Sequence, residues 1–73
     1  MKIYDSDSFG EAIRKRRKSL GYTQKDLSDF TGLSVSFISD LERGKKTAEL
    51  EKSLYVAGIL GLDLDAVPRG ESE

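Results

Sequence analysis

Short polar and basic side chains are concentrated in residues 23–46, and their chemistry suits contact with a nucleic acid. They are Thr23, Gln24, Ser34, Ser36, Ser39, Arg43, Lys45 and Lys46. Hydroxyl and amide groups can bond to phosphate oxygens and base edges, and arginine or lysine neutralises phosphate charge. The alternative is that these residues are ordinary solvated groups at helix ends and in loops.

The sequence lacks the residues that most catalytic and metal-binding functions require. The chain has no cysteine and no histidine, which removes disulfides, zinc fingers, thiol catalysis and the commonest general base. It contains no glycine-rich phosphate-binding motif, and a small helical domain offers little room for a pocket. We therefore predict a protein that is not an enzyme and that has no cofactor and no metal site.

The length of the chain limits its domain organisation, and its charge distribution limits the kinds of partner that it suits. The 73 residues suffice for a single domain, residues 1–73, whose thin core calls for regular helix packing or dimerisation. Residues 1–46 hold ten basic and seven acidic residues, and residues 47–73 hold two basic and six acidic residues. The positive first part suits a polyanion, although most such asymmetries are solvated faces.

The sequence gives no sign of a membrane partner. No apolar run approaches the roughly 20 residues of a membrane helix, and no signal peptide opens the chain. We expect a cytoplasmic, nucleoid-associated protein.

Glycines and capping residues divide residues 8–61 into short helices. The first is expected to start near Ser8, with Glu11 completing a capping box. Its apolar stripe consists of Phe9, Ala12, Ile13 and Leu20. Because residues 14–18 are five consecutive cations that radiate around the helix axis, one must point toward the core, and Arg17 is the candidate.

The next two helices are separated by a three-residue turn. Thr23 caps the second, with Asp26 at the third helical position, and Gly32 ends it. Leu27 and Phe30 are expected to face inward. Ser34 caps the third helix, which closes at Gly44, and its apolar residues are Val35, Ile38 and Leu41. This arrangement predicts a helix-turn-helix unit, although similar turns also occur in helical domains that do not bind DNA.

A fourth helix and a tail complete the chain. The helix is expected to be capped by Thr47 and to end at Gly61, with Leu50, Leu54, Val56, Ala57, Ile59 and Leu60 forming a face wider than a small bundle needs. Residues 62–68 alternate in polarity, which predicts a strand that pairs with its copy across a dimer. Its dimer contacts are Leu62, Leu64, Ala66 and Val67. The alternatives are a one-turn helix over residues 63–67 or a frayed tail, and residues 69–73 are expected to be flexible.

Several motifs resemble those of a known family. They are Phe9-Gly10-x-x-Ile13-Arg14-x-x-Arg17, Gly21-Tyr22-Thr23-Gln24, Gly32-Leu33-Ser34 and Leu41-Glu42-x-Gly44-Lys45. Residues 9–61 thereby resemble the Cro/C1-type (XRE-like) helix-turn-helix of phage repressors. Residues 2–4 and the tail to Arg69 resemble, more narrowly, the HipB-type antitoxins, which are dimers with C-terminal strands paired across the two-fold axis.

The resemblance implies a fold and a set of DNA contacts. The fold is all-α, a lambda-repressor-like helix-turn-helix bundle of four to five short helices with the short C-terminal strand. The implied DNA-binding residues are Thr23, Gln24, Ser34, Val35, Ser36, Ser39, Asp40, Arg43, Lys45 and Lys46. Gln24 is expected to donate to a phosphate, and Val35 to touch a thymine methyl.

Three of the implied roles need separate mention. Asp40 can accept a hydrogen bond from a cytosine amino group but repels phosphates, and many relatives carry a longer polar or basic residue there. Arg17 and Glu42 lie where the family joins its first and third helices by a structural ion pair.

The function implied is that of a sequence-specific regulator of transcription. A homodimeric repressor would read the major groove of its double-stranded operator with helix 34–43, with half-sites about one DNA turn apart. The alternative is an antitoxin of the HipB type that acts mainly by binding a protein toxin. Steep weakening by salt would indicate DNA binding, whereas an apolar protein interface would be much less sensitive.

Overall fold

Four helices form the part of the chain that the computed structural model describes, residues 2–70. They are α1 (Ser6–Ser19), α2 (Gln24–Thr31), α3 (Val35–Glu42) and α4 (Leu50–Ile59). These residues contain no strand, and none of the four helices is long and apolar enough to cross a membrane. The predicted all-α class and the helix-turn-helix bundle are confirmed.

Helix α1 begins earlier than the sequence pattern suggested. The Asp5 carboxylate accepts a hydrogen bond from the Ser8 backbone N–H at 2.7 Å, and the Ser8 hydroxyl accepts one from the Asp5 N–H at 3.1 Å. Ser8 is therefore the third residue of the helix, and the prediction that it caps α1 with Glu11 is wrong. A carboxylate at the positive end of the helix is a favourable cap, and it adds a turn.

Helix α4 begins later than predicted. Its N-cap is Glu49, which makes no side-chain capping bond, so the prediction that Thr47 caps the helix is wrong. The chain turns at residues 46–48, where the Ala48 N–H donates to the Lys45 carbonyl at 3.3 Å. Thr47 lies inside this turn, so its side chain cannot serve the first turn of α4.

The core is made from all four helices. Its buried apolar residues are Ile13, Leu27, Ile38, Leu41, Val56, Ala57 and Leu60. Phe9 packs against it as predicted, and so does Phe37 of α3. Phe30 does not face inward: it is 51% exposed, because Thr31 takes the buried position at the end of α2. The Phe30 ring instead meets the Tyr22 ring edge-on, at 5.0 Å between centroids.

The packing of α1 against α3 depends on Gly10. A Cβ atom on this buried residue would collide with the backbone carbonyl oxygens of Leu41 and Glu42. The missing side chain therefore lets α1 lie directly on the last turn of α3. Leu20, at the other end of α1, is 39% exposed and makes only a weak contribution to the predicted apolar stripe.

The C-terminal tail has no regular secondary structure as far as Pro68. The Leu62 N–H donates to the Ala57 carbonyl at 2.9 Å, and residues 63–67 do not form the one-turn helix that was the alternative prediction. Strand pairing needs a second chain and stays a prediction. Of the predicted flexible segment 69–73, residues 71–73 lie outside the described part.

Candidate nucleic-acid interface

The turn between α2 and α3 is fixed by hydrogen bonds. Gly32 has the left-handed backbone that favours glycine, with φ of 76°, and its N–H donates to the Ser28 carbonyl at 2.9 Å. The Leu33 N–H donates to the Thr31 hydroxyl at 3.2 Å. Ser34 then accepts from the Phe37 N–H at 3.0 Å and caps α3, as predicted. The angle between α2 and α3 is therefore held from both sides of the turn.

The first turn of α3 is presented to solvent. Ser34, Val35 and Ser36 are exposed, whereas Ile38 and Leu41 on the opposite side are buried in the core. Ser39 continues the outer face and is half-buried. The exposed residues lie at the positive end of the helix dipole, where an anion is favoured. The structure thus brings these predicted base-contacting residues onto one surface.

Arg17 and Glu42 form the predicted ion pair between α1 and α3. The Arg17 Nε and Nη2 atoms donate to the two Glu42 carboxylate oxygens at 2.6 and 2.9 Å, and only 7% of Arg17 and 8% of Glu42 is exposed. Hydrogen bonding to Glu42 raises the pKa of Arg17 above its ordinary value. Arg17 also donates to the Tyr22 carbonyl at 2.8 Å, which fixes the loop before α2.

Gln24 is attached to the same ion pair. Its Nε2 atom donates to the Glu42 Oε1 atom at 3.1 Å, a bond across 18 residues that sequence reasoning missed. An amide nitrogen carries two hydrogens, so one remains for a phosphate. Thr23 caps α2 by accepting from the Asp26 N–H at 3.0 Å, as predicted. The start of α2 is therefore anchored to the end of α3.

The end of α3 carries a second charged cluster. The Asp40 Oδ1 atom accepts from Arg43 at 2.6 Å, and its Oδ2 atom lies 3.5 Å from the Lys45 Nζ atom. The hydrogen bond from Arg43, followed by the charge of Lys45, holds the pKa of Asp40 below its ordinary value. Lys46 is also exposed here and contributes to lowering the pKa of Asp5, which is set mainly by Ser8. Sequence reasoning listed Asp40, Arg43 and Lys45 but missed their pairing.

The cations of α1 serve different purposes. Arg17 is buried, and the Arg16 Nε atom donates to the Leu60 carbonyl at 2.8 Å, at the end of α4. Arg14, Lys15 and Lys18 are exposed. Among residues 2–70 there is no group of side chains that could hold a metal ion.

A protein-family model described as helix-turn-helix matches residues 13–67, which include α2, the fixed turn, α3 and α4. This chain belongs to the helix-turn-helix family. The assignment confirms the predicted resemblance to Cro/C1-type proteins, and the function it supports is that of a DNA-binding regulator of transcription.

Two relatives show how much of the chain is shared. The HTH-type transcriptional regulator y4mF of Sinorhizobium fredii is 39% identical over 62 residues, which cover 85% of this helix-turn-helix chain and 82% of the relative. The immunity repressor protein of Bacillus phage phi105 is 39% identical over 57 residues, which cover 78% of this chain and 38% of the repressor. The chain thus spans most of one relative and less than half of the other.

A solved structure has the same fold. The protein chain of the HipB-O4 20mer complex matches this helix-turn-helix chain with a TM-score of 0.85, covering 94% of this chain and 97% of that chain at 23% identity. At this identity the similarity shows the fold, and individual DNA contacts stay predictions.

Proposed function

We propose that the protein is a homodimeric transcriptional repressor that inserts the first turn of α3 into the major groove of an operator. The exposure of Ser34, Val35 and Ser36, on a helix whose other side is locked into the core, is the observation that carries this proposal. A major groove about 12 Å wide admits such a helix, and short side chains allow its backbone to approach base edges.

Phosphate contacts would flank this helix on both sides. Thr23 and Gln24 lie at the N-terminus of α2, where backbone N–H groups and the helix dipole favour an anion. Arg43, Lys45 and Lys46 follow the other end of α3 and are exposed. Contacts at both ends would fix the orientation of α3, while Val35, Ser36 and Ser39 read bases.

Homodimerisation is supported by an apolar surface that the described residues, 2–70, leave exposed. We define the α4–tail surface as Leu50, Leu54, Leu64 and Val67, all of which are exposed, Leu50 by 68%. Leu50, Leu54, Leu64 and Val67 line a shallow groove together with residues 2–4. No backbone hydrogen bond joins residues 63–67 to the remainder of the described chain. A second copy would cover this surface and provide the missing strand edge.

The test is fluorescence anisotropy with DNA from immediately upstream of the protein's own gene. We expect binding that survives random competitor DNA and weakens steeply between two salt concentrations, because phosphate contacts release counterions. Binding near its own promoter in the cytoplasm, at the nucleoid, would repress by occlusion. A folded protein without preference for this DNA over random duplex, or with affinity independent of salt, contradicts autoregulation by this surface.

An antitoxin is the second candidate function. It is supported by the shared fold of the HipB chain over 94% of this chain, together with the exposed acidic residues Glu49, Glu51, Asp63 and Asp65, which suit a basic partner. The alternative use of that acidic surface is solubility. Tight binding to the product of an adjacent gene, in a protein that shows no DNA preference, would favour this candidate over the repressor.

A further inference from the structure

Asp40 places a negative charge on the surface proposed to meet DNA. It lies one turn after Ser36 on α3 and beside Ser39, so in the proposed complex its carboxylate would lie near the DNA. A carboxylate at such a position repels phosphates. Its presence in a DNA-binding surface therefore needs a reason.

Neither the helix dipole nor capping supplies that reason. Asp40 belongs to the last turn of α3, where the helix dipole disfavours a negative charge. Its side chain caps no helix, since α3 is capped by Ser34 at its start and ends at Arg43. Replacing the carboxylate with an amide should thus leave the helix intact.

The carboxylate has two cations as partners. Arg43 contacts one oxygen at 2.6 Å, and Lys45 lies 3.5 Å from the other. The Asp40 side chain is 28% exposed, whereas those of Arg43 and Lys45 are 73% and 53% exposed. Both cations are accessible to a phosphate, yet each already has an anionic partner within the chain. An aspartate is ionised at neutral pH, and hydrogen bonding from Arg43 lowers the pKa of Asp40 further.

We propose that Asp40 is a specificity-determining residue whose carboxylate competes with DNA phosphates for Arg43 and Lys45. The inference rests on the proposed function and adds a mechanism by which non-specific DNA is bound weakly. Arg43 and Lys45 each keep unused N–H donors, so a phosphate either displaces the carboxylate or shares the cation with it and is repelled by its charge. On random DNA the displaced carboxylate has no new partner. On the operator it can accept a hydrogen bond from a cytosine amino group in the major groove.

Competition between Asp40 and DNA phosphates should affect how DNA binding depends on salt. Binding to random DNA is almost entirely electrostatic, and each phosphate contact adds about 0.9 to the slope of log K against log salt. Releasing Arg43 and Lys45 should therefore steepen the slope by up to about 1.8 and tighten random-DNA binding by about three- to tenfold at physiological salt. Operator affinity should rise less, so the ratio of specific to non-specific affinity falls.

The experiment compares Asp40→Asn with Asp29→Asn by anisotropy, on random 20-bp duplex and on the DNA upstream of the gene, at four salt concentrations. Asp29 is the matched control because it pairs with Lys25 at 3.0 Å on an exposed helix surface and its replacement changes net charge equally. A third protein, Asp40→Asn with Arg43→Gln and Lys45→Gln, removes the cations that the first releases. Circular dichroism confirms that each variant folds.

We expect Asp40→Asn, but not Asp29→Asn, to bind random DNA more tightly and with a steeper slope of log K against log salt. The triple variant should show neither gain. Equal gains in Asp40→Asn and Asp29→Asn would mean that net charge alone acts, and would overturn the proposal. An Asp40→Asn variant identical to the original protein on random DNA would also overturn it. If the original protein does not prefer the upstream DNA, that autoregulatory function fails, whereas the random-DNA comparison still decides the role of Asp40.

Discussion

Glu42 is the single residue that connects the most parts of the candidate interface. Its carboxylate accepts hydrogen bonds from Arg17 on α1 and from Gln24 on α2, although Glu42 itself belongs to α3. Because Arg17 also holds the Tyr22 carbonyl, the loop before α2 is fixed by the same group. The relative position of α2 and α3 therefore depends on this buried carboxylate as well as on the hydrogen bonds of the turn between them.

Replacing Glu42 with alanine should destabilise the protein severely. The change leaves the Arg17 guanidinium buried without its anion, which typically costs about 3–5 kcal/mol. A domain of this size has a total stability of roughly 4–11 kcal/mol, so much of it would be lost. Urea unfolding followed by circular dichroism measures the difference.

The control replaces both partners by apolar residues. Arg17→Met with Glu42→Leu removes the pair without leaving a buried charge, and such replacements are often neutral or stabilising. We expect this double variant to fold but to bind DNA less tightly, because Gln24 has lost its anchor. A Glu42→Ala variant as stable as the double variant would contradict the argument.

The residues of the interface should divide into two classes. Replacing Lys46, which is exposed and does not pair with Asp40, with alanine should weaken binding to all DNA sequences alike and reduce the salt slope by about 0.9 for the lost phosphate contact. Replacing Ser36 or Ser39 should instead change the preference among sequences, because base-edge contacts carry the specificity. Anisotropy titrations on the upstream DNA and on single-base variants of it distinguish the two. Unchanged DNA affinity in both sets would show that α3 is not the recognition helix.

Single-residue roles could be predicted where local geometry leaves few choices. A run of five cations in a helix must turn one toward the core, and Arg17 is indeed buried. The bonds of Gln24 to Glu42 and of Lys45 to Asp40 could not be predicted, because they depend on how α2 and the loop after α3 are placed in space. The sequence identifies the polar and charged residues, but it does not show which of them bond to one another.

At the scale of the helices, two glycines that look alike in the sequence have opposite roles. Gly10 and Gly58 both lie inside helices, where glycine costs up to about 1 kcal/mol relative to alanine. A Cβ atom on Gly10 would meet the backbone of α3, whereas one on Gly58 meets nothing within 4 Å. The difference arises from tertiary packing, which a single sequence does not display.

Alanine at the two positions should therefore act in opposite directions. Gly10→Ala should lower the free energy of unfolding and weaken DNA binding, because α1 must move away from Leu41 and Glu42 at the end of α3. Gly58→Ala should raise the free energy of unfolding by about 0.5–1 kcal/mol. Thermal unfolding of both variants measures the signs, and a stabilised Gly10→Ala protein would contradict the close packing.

The N-terminal cap of α1 links helix stability to pH. The hydrogen bond from the Ser8 backbone holds the pKa of Asp5 below its ordinary value, so ionised Asp5 favours the folded state. That contribution is complete above the ordinary pKa and is lost as pH falls through the lower folded value. Asp5→Asn keeps a capping side chain but cannot titrate.

We therefore expect the stability difference between the original protein and Asp5→Asn to shrink as pH falls from about 5 to about 2. Urea unfolding at several pH values measures it. Two parallel stability curves would assign no role to the Asp5 charge. The start of α1 was mispredicted because Asp5 with Ser8, and Ser8 with Glu11, both fit the spacing of a capping box.

For the molecule as a whole, the sequence predicted too much apolar surface for one small bundle, and the structure shows where the excess lies. Val56, Ala57 and Leu60 are buried, while Leu50, Leu54 and Ile59 of the same helix are exposed. Periodicity could identify the helix and its wide apolar face. It could not assign a partner to the outer part, because nothing in residues 2–70 covers it, and within the same residues the tail has no strand to join.

The whole-molecule proposal is tested by removing apolar surface at two separate places. Ending the chain after Gly61, or replacing Leu50 and Leu54 with glutamine, should weaken dimerisation, because each change removes part of the α4–tail surface. Phe30→Ser is the matched control, since Phe30 is 51% exposed but lies on α2, away from that surface. Sedimentation over a range of concentrations gives the dimer dissociation constant.

We expect the truncated and Leu50/Leu54 proteins to dissociate at concentrations where the original protein and Phe30→Ser remain dimers. Their DNA binding should fall further than their stability, because two recognition helices held about one DNA turn apart bind far more tightly than two independent ones. A truncated protein that sediments as a full-strength dimer would remove residues 62–67 from the interface. Equal weakening by Phe30→Ser would instead place the dimer contact on α2, on the same side of the chain as the edge-on Tyr22 and Phe30 rings.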